Sequence, residues 1–136
     1  MLSAADDGRW ITSFYEYIED KRAKEAFALL IGTFACLGKF RCGRKPQGEV
    51  RSVGIEVDGE CWYTIMPAKK WVTFQWRPPV TRTKRFRVAL LRNEFPEGFT
   101  DSAQKEHWSV RVACLEDALK LLRVLNVDSS LATERR

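Results

Sequence analysis

The stretch VGIEVDGECWYTIMP, residues 53–67, decides the fold of this chain because it reads as two strands joined by a tight turn. Apolar residues alternate with small or polar ones before Asp58-Gly59, and a second alternating run follows the pair and ends at Pro67. Asp-Gly between two such runs is the chemistry most typical of a two-residue hairpin turn. The stretch therefore predicts an antiparallel β-hairpin.

Three later segments continue the two-residue period and predict further strands: 69–77, 85–92 and 107–114. Successive strands with short connections favour an antiparallel sheet. Segments 40–49 and 93–106 predict loops, since both contain Gly and Pro among polar residues. Strand 69–77 divides its side chains between two faces: Val72, Phe74 and Trp76 on one, and Trp71, Thr73, Gln75 and Arg77 on the other.

Helical spacing of apolar residues marks both ends of the chain. Residues 9–37 contain two such patterns joined by EDKRAKE, which has no breaker, so one kinked helix and two helices both stay open. The last helix begins near Glu116-Asp117 and carries a leucine stripe. We therefore predict one α+β domain over residues 1–127, followed by a polar tail, 128–136. It has two N-terminal helices, a five-stranded, mainly antiparallel sheet and one C-terminal helix packed on one sheet face.

The net charge of +5 is concentrated in the middle of the chain, where residues 38–93 carry 13 bases and 4 acids. Within this region, residues 62–92 contain eight Lys or Arg, six aromatics and no acid. Sheets that bind single-stranded nucleic acid combine rings that stack on bases with cations that contact phosphates. The leading hypothesis is therefore contact with a nucleic-acid backbone. The candidate residues are Lys69, Lys70, Trp71, Arg77, Arg82, Lys84, Arg85 and Arg87.

Two other binding functions fit the same composition. A protein-interaction or homodimer module would use the same sheet face, with Trp71 or Trp62 as its anchor and Arg at the rim. A small-molecule pocket would be lined by Trp and Tyr, and Glu16, Glu19 or Glu60 would attract a cationic ligand. Strands also favour aromatics simply for packing.

Catalytic and metal signatures are weak in this sequence. It has no Walker loop, no G-x-S-x-G and no H-E-x-x-H. Its four cysteines include no Cys-x-x-Cys pair, and a Cys61–His107 nucleophile and base would require a proximity that the sequence does not give. We expect binding without a cofactor or a metal, and not catalysis.

The same reading predicts a cytoplasmic protein that does not enter a membrane. The N-terminus lacks the basic start and apolar run of a signal peptide. The longest apolar run, residues 26–37, has twelve residues and is too short to span a bilayer.

Three segments carry a family resemblance: YTIMPAKKW (63–71), HWSVRV (107–112) and LEDALKLLRVL (115–125). Together they resemble small α+β domains of unknown function, some of them appended to proteins predicted to handle DNA. The resemblance covers about residues 50–125. It implies the fold and carries over no catalytic residue.

Overall fold

The computed structural model describes residues 7–37, 41–44, 51–83, 86–102 and 107–125. Within these ranges the chain is α+β, with five helices and six strands. In chain order they are α1 (Asp7–Tyr17), α2 (Lys21–Cys36), β1 (Arg41–Arg44), β2 (Val53–Val57), β3 (Glu60–Pro67), β4 (Val72–Trp76), α3 (Pro78–Thr81), α4 (Val88–Glu94), β5 (Thr100–Ser102), β6 (His107–Val112) and α5 (Leu115–Leu125).

The strands form one sheet in the order β1-β2-β3-β4-β6-β5, and every neighbouring pair is antiparallel. The predicted hairpin is confirmed: Val53 pairs with Ile65, and the turn residues Asp58 and Gly59 have φ angles of 52° and 82°. Both angles lie in the left-handed region that a type I′ turn requires, which Gly adopts freely and Asp tolerates. The register shifts between Ile55 and Glu56, so this hairpin also contains a bulge.

One face of the sheet is covered by helices and forms the core. The alternate residues of β4, Val72, Phe74 and Trp76, are fully buried on this face. Helix α2 packs on it through Phe34, whose ring centroid lies 6.0 Å from that of Tyr63 and 6.3 Å from that of Phe74. The same core cluster includes buried residues of α5, namely Ala118, Leu121 and Leu125. The predicted division of β4 side chains between two faces is therefore confirmed.

Residues 9–37 form parts of two helices, not one kinked helix. Residues 18–20 are not helical, and the Asp20 carboxylate accepts hydrogen bonds from the backbone N–H groups of Arg22 (2.9 Å) and Ala23 (3.1 Å). This is N-capping, which satisfies donors that the first turn of α2 leaves without an intrahelical partner. The backbone N–H groups of Glu19 and Asp20 both donate to the Lys69 carbonyl. The break between the helices is thus joined to the loop between β3 and β4.

The predicted strand at 85–92 is wrong, because residues 88–94 form α4. Leu90 is 58% exposed, whereas Leu91 and Phe95 are buried. Val88, Leu91 and Phe95 follow helical spacing, which the accidental alternation of Phe86, Val88 and Leu90 concealed. The preceding Pro-Pro segment begins α3, since Pro at the first helical position loses no hydrogen bond.

Both edge strands of the sheet were missed. The predicted loop 40–49 contains β1, and the predicted loop 93–106 contains β5. Strand β1 has four residues and β5 has three, so neither is long enough to show a two-residue period. The predicted tail, 128–136, lies outside the described residues.

Two glycines with open space around them should respond to alanine in opposite directions. A Cβ at Gly32, inside α2, or at Gly59, in the hairpin turn, would meet nothing within 4 Å. Gly32→Ala should raise the free energy of unfolding by about 0.5–1 kcal/mol, because alanine costs less backbone entropy in a helix. Gly59→Ala should lower it by about 1–2 kcal/mol, because its φ of +82° strains any L side chain. Urea unfolding followed by circular dichroism measures both changes in the free energy of unfolding. If both variants were stabilised, or both destabilised, the helical conformation of Gly32 or the left-handed conformation of Gly59 would be contradicted.

The cap at Asp20 gives a second stability prediction. Asp20→Ala removes the acceptor for two backbone donors and should lower the free energy of unfolding by about 1 kcal/mol. Asp20→Asn keeps an acceptor oxygen and should lose only a small part of that stability. Urea unfolding of the two variants side by side tests this, and an Asp20→Asn variant as unstable as Asp20→Ala would contradict a capping role.

Candidate nucleic-acid interface

The sheet face opposite the core is polar. The side chains on it come from β3, β4 and β6, and cross-strand pairs such as Thr73 with Arg111 and Gln75 with Ser109 set their positions. Thr64 is buried and donates to the Gln75 Oε1 atom at 2.9 Å, which orients the amide. We call this surface the polar sheet face, defined by Thr64, Met66, Thr73, Gln75, Ser109 and Arg111.

A cation–π pair of Trp71 and Arg111 lies where this face meets the loop between β3 and β4. Trp71 directly precedes β4, and its carbonyl accepts a hydrogen bond from the Ala68 N–H at 2.9 Å. The Arg111 guanidinium lies 4.5 Å from the centroid of the Trp71 ring, a cation–π contact. Trp71 is half-buried and Arg111 is exposed. Arg111 lies within the predicted strand 107–114, but no sequence signal connected it with Trp71.

A second ring with two cations lies at the same end of the sheet. The Arg51 guanidinium is 3.6 Å and the Lys69 ammonium 4.3 Å from the centroid of the Tyr17 ring. Lys69 also forms an ion pair with Glu19 at 3.6 Å, and both side chains are largely exposed. Because Tyr17 lies on α1, far from the basic segment in sequence, sequence reasoning missed both it and Arg51.

The antiparallel register brings these groups together. Pro67 pairs with Val72, and Val72 pairs with Val112, so the loop at 68–71 lies beside the end of β6. Arg51 reaches the same end because it comes just before β2, whose first residue pairs with β3 near Pro67. We call this group the cationic-aromatic end, defined by Tyr17, Arg51, Lys69, Lys70, Trp71 and Arg111.

The other predicted site residues lie at the opposite end of β4. Arg77 is six positions after Trp71, which corresponds to about 20 Å of extended strand. Arg77 and Arg82 flank α3, and Arg87 is the N-cap residue of α4. Arg82 and Arg87 are exposed, and Arg77 is half-exposed. The eight predicted residues therefore do not form one patch, while Lys84 and Arg85 lie outside the described residues.

A cleft of about 410 Å³ adjoins Arg111. It combines the cations Arg111 and Lys120 with the acids Glu97 and Asp117, so its charge is mixed. Asp117 accepts the Ala113 N–H at 3.0 Å, and Lys120 donates to the Glu94 carbonyl at 2.7 Å, so both side chains have structural partners. The predicted ligand pocket with Glu16, Glu19 or Glu60 stays a prediction. The lining residues are Phe95, Pro96, Glu97, Gly98, Arg111, Ala113, Asp117 and Lys120.

The structure separates the residues once considered for covalent chemistry. Strand β4 lies between the strands that carry Cys61 and His107, which puts their backbones about 10 Å apart. The Cys61 thiol donates to the Tyr63 carbonyl at 3.3 Å.

Among the described residues, no three His, Cys, Asp or Glu side chains gather as metal ligands would. None of the described helices has the length and apolar character needed to cross a bilayer.

Fold and site together define a class: in its described residues, an α+β protein with a six-stranded antiparallel sheet, helices on one face and a polar face that ends in cation–π pairs. Comparison with protein-family models gives no match. Comparisons with curated proteins and with solved structures give none either. The resemblance to small α+β domains of unknown function therefore stays a prediction.

Proposed function

We propose that this protein binds single-stranded nucleic acid on its polar sheet face, with the cationic-aromatic end as the main contact. The observation that supports this most directly is the Arg111 guanidinium 4.5 Å from the centroid of the Trp71 ring, beside two exposed lysines. Nucleic-acid bases stack on both indole rings and guanidinium planes. The pair thus offers a stacking surface next to cations that attract phosphates.

The charge at this end favours a polyanion. Arg51, Lys69, Lys70 and Arg111 supply four positive charges, and Glu19 offsets one of them through its ion pair with Lys69. Along the face, the hydroxyls of Thr73 and Ser109 and the amide of Gln75 are half-exposed. Such groups hydrogen-bond to sugars and to base edges without demanding one sequence.

The chemistry of the face favours nucleic acid over the alternative of a protein partner on the same surface. The core of a protein–protein interface is depleted in charge and rich in aromatic and apolar residues. Here the Trp71 ring is half-buried beside a cation, and apart from Met66 the residues that define the polar sheet face carry hydroxyl, amide and guanidinium groups. We assign this binding to the cytoplasm. All four cysteines lie in the described part of the chain and none forms a disulfide, as a reducing compartment favours.

Salt titration of single-stranded oligonucleotide binding tests the proposal. Fluorescence anisotropy with a labelled oligonucleotide should give a slope of log K against log salt of about −2 to −3, as expected for three or four neutralised phosphates. Arg111→Ala should make the slope less steep by about 0.7, because one phosphate contact is lost. Trp71→Phe keeps a ring and Trp71→Ala removes it. We therefore expect Trp71→Ala to weaken binding by about 1–3 kcal/mol and Trp71→Phe by less.

Arg87→Ala is the matched control. Arg87 is also an exposed arginine of the basic segment, but it lies at the opposite end of the sheet. The Arg87→Ala substitution should leave both the affinity for the oligonucleotide and the slope of the salt dependence nearly unchanged. Equal losses in Arg87→Ala and Arg111→Ala would show attraction by net charge alone, and no binding at low salt would refute the proposal.

A further inference from the structure

Helix α5 exposes leucines that the core does not use. Its buried residues are Ala118, Leu121 and Leu125, whereas Leu119 is 55% and Leu115 is 39% exposed. At 100° per residue, Leu115, Leu119 and Leu122 fall within an arc of about 60° beside the buried stripe. The apolar surface of α5 is therefore wider than its contact with the rest of the domain.

Helix α2 extends this apolar surface. The residues of α2 that are exposed after Glu25 are small and uncharged: Ala28, Gly32 and Cys36. At Gly32, a Cβ would meet nothing within 4 Å, so this position faces open space. Surface helices usually place charged residues on the side away from the core, and this half of α2 does not.

The two helices pack against each other with their N-terminal ends close together. Helix α2 packs against α5, and a cleft of about 300 Å³ between their N-terminal ends is lined by Arg22 and Glu25 from α2 and by Leu115 and Glu116 from α5. Lys120 on the other flank of α5 contacts Glu94 at the end of α4, so the leucine stripe lies on the flank toward α2. We call the combined surface the α2–α5 face, defined by Ala28, Gly32, Leu115, Leu119 and Leu122.

The charges beside this face are arranged to complement a copy of themselves. Glu116 and Arg123 are both exposed, and their spacing of seven residues puts them on the same side of α5 as Leu119. Neither forms an ion pair within the described part of the chain. Their midpoint falls between Leu119 and Lys120. An antiparallel copy of α5 crossing at that point brings Glu116 next to Arg123 of the partner subunit, and the reverse pair follows by symmetry.

We propose that the α2–α5 face binds a second copy of this chain in a two-fold symmetric dimer. The axis crosses α5 near Leu119, so the two Leu119 side chains pack together between two Glu116–Arg123 pairs. Because Leu115 lies level with Arg22 and Glu25, the same axis crosses α2 near Ala28, whose small side chain lets the helices approach closely. Glu116 and Arg123 lie three and four residues from Leu119, so a second copy of this chain supplies the complementary charge at both places.

The size of the face favours a weak dimer. Two helices of this length, side by side, cover about 20 Å by 20 Å on each subunit, which is the size of weak and transient interfaces. We therefore expect a dissociation constant on the order of 1–100 µM and a reversible, concentration-dependent equilibrium. The face is on the helical side of the domain, away from the polar sheet face. Self-association and nucleic-acid binding can consequently fail independently of each other.

Sedimentation velocity over a concentration series tests the dimer, with two leucines as a matched pair. Leu119→Glu puts charge at the proposed axis and should leave the chain monomeric. Leu90→Glu changes a leucine that is equally exposed, at 58%, but lies on α4, and should not alter the equilibrium. Circular dichroism verifies the fold of each variant. A wild-type chain that stays monomeric up to about 1 mM would overturn the proposal. It would also be overturned if Leu90→Glu abolished the dimer and Leu119→Glu did not.

Charge reversal tests the two-fold arrangement itself. Glu116→Arg or Arg123→Glu alone puts like charges together at two symmetric places and should weaken the dimer about 5- to 30-fold. The double variant restores both pairs and should recover dimerisation to within about 3-fold of wild type. The reversed charges oppose the helix dipole, so a loss of helix stability would be largest in the double variant. Recovery therefore distinguishes pairing across the axis from a weakened helix. A double variant that keeps the wild-type circular dichroism but dimerises more weakly than either single variant would overturn the arrangement.

Discussion

Contact between α2 and the core face of β4 is the constraint on which the rest of the structure depends. Phe74 stacks with Phe34 of α2 and lies 5.1 Å from Trp76, measured between ring centroids, so the β4 rings that enter the core are fixed by a helix above them. Side chains alternate along a strand, and a shift of one residue would exchange the two faces. Such a shift would bury Thr73 and Gln75 and expose three large apolar side chains. Burial of Phe74 and Trp76 therefore also determines which residues form the polar sheet face.

The sequence predicted those parts of the fold in which one chemical pattern dominates. The hairpin at 53–67 has clean alternation and an Asp-Gly turn, and the phase of β4 follows from Val72, Phe74 and Trp76. The failures occurred where two patterns fit the same residues. Phe86, Val88 and Leu90 alternate like a strand, but Val88, Leu91 and Phe95 fit a helix, and burial of Leu91 and Phe95 decides for the helix. Packing against residues distant in sequence therefore determines the helix, and the local periodicity of the sequence does not predict it.

The candidate site could be predicted only in part, for a related reason. Lys69, Lys70 and Trp71 are neighbours in sequence and stay neighbours in space, so composition was enough to find them. Arg111 and Tyr17 join them through strand pairing and through the α1–α2 turn, which donates two backbone hydrogen bonds to the Lys69 carbonyl. Arg77 leaves the group because an extended strand carries it about 20 Å away. A cluster of charged residues in a sequence therefore does not predict a cluster on a sheet. Residues of one strand move apart along its length, whereas strand pairing brings residues from distant parts of the sequence together.

The two proposed surfaces have a geometric consequence when they are considered together. In a dimer formed through the α2–α5 faces, the layers stack as sheet, helices, helices and sheet, each about 10 Å from the next. The two polar sheet faces then point in opposite directions, about 30 Å apart. An oligonucleotide that covers one face does not reach the other, so dimerisation should leave its affinity unchanged. A longer strand that passes around the dimer can contact both faces, and the second contact benefits from a high effective concentration. Dependence of affinity on strand length would thus arise from the helical side of the protein, although no residue on that side touches the nucleic acid.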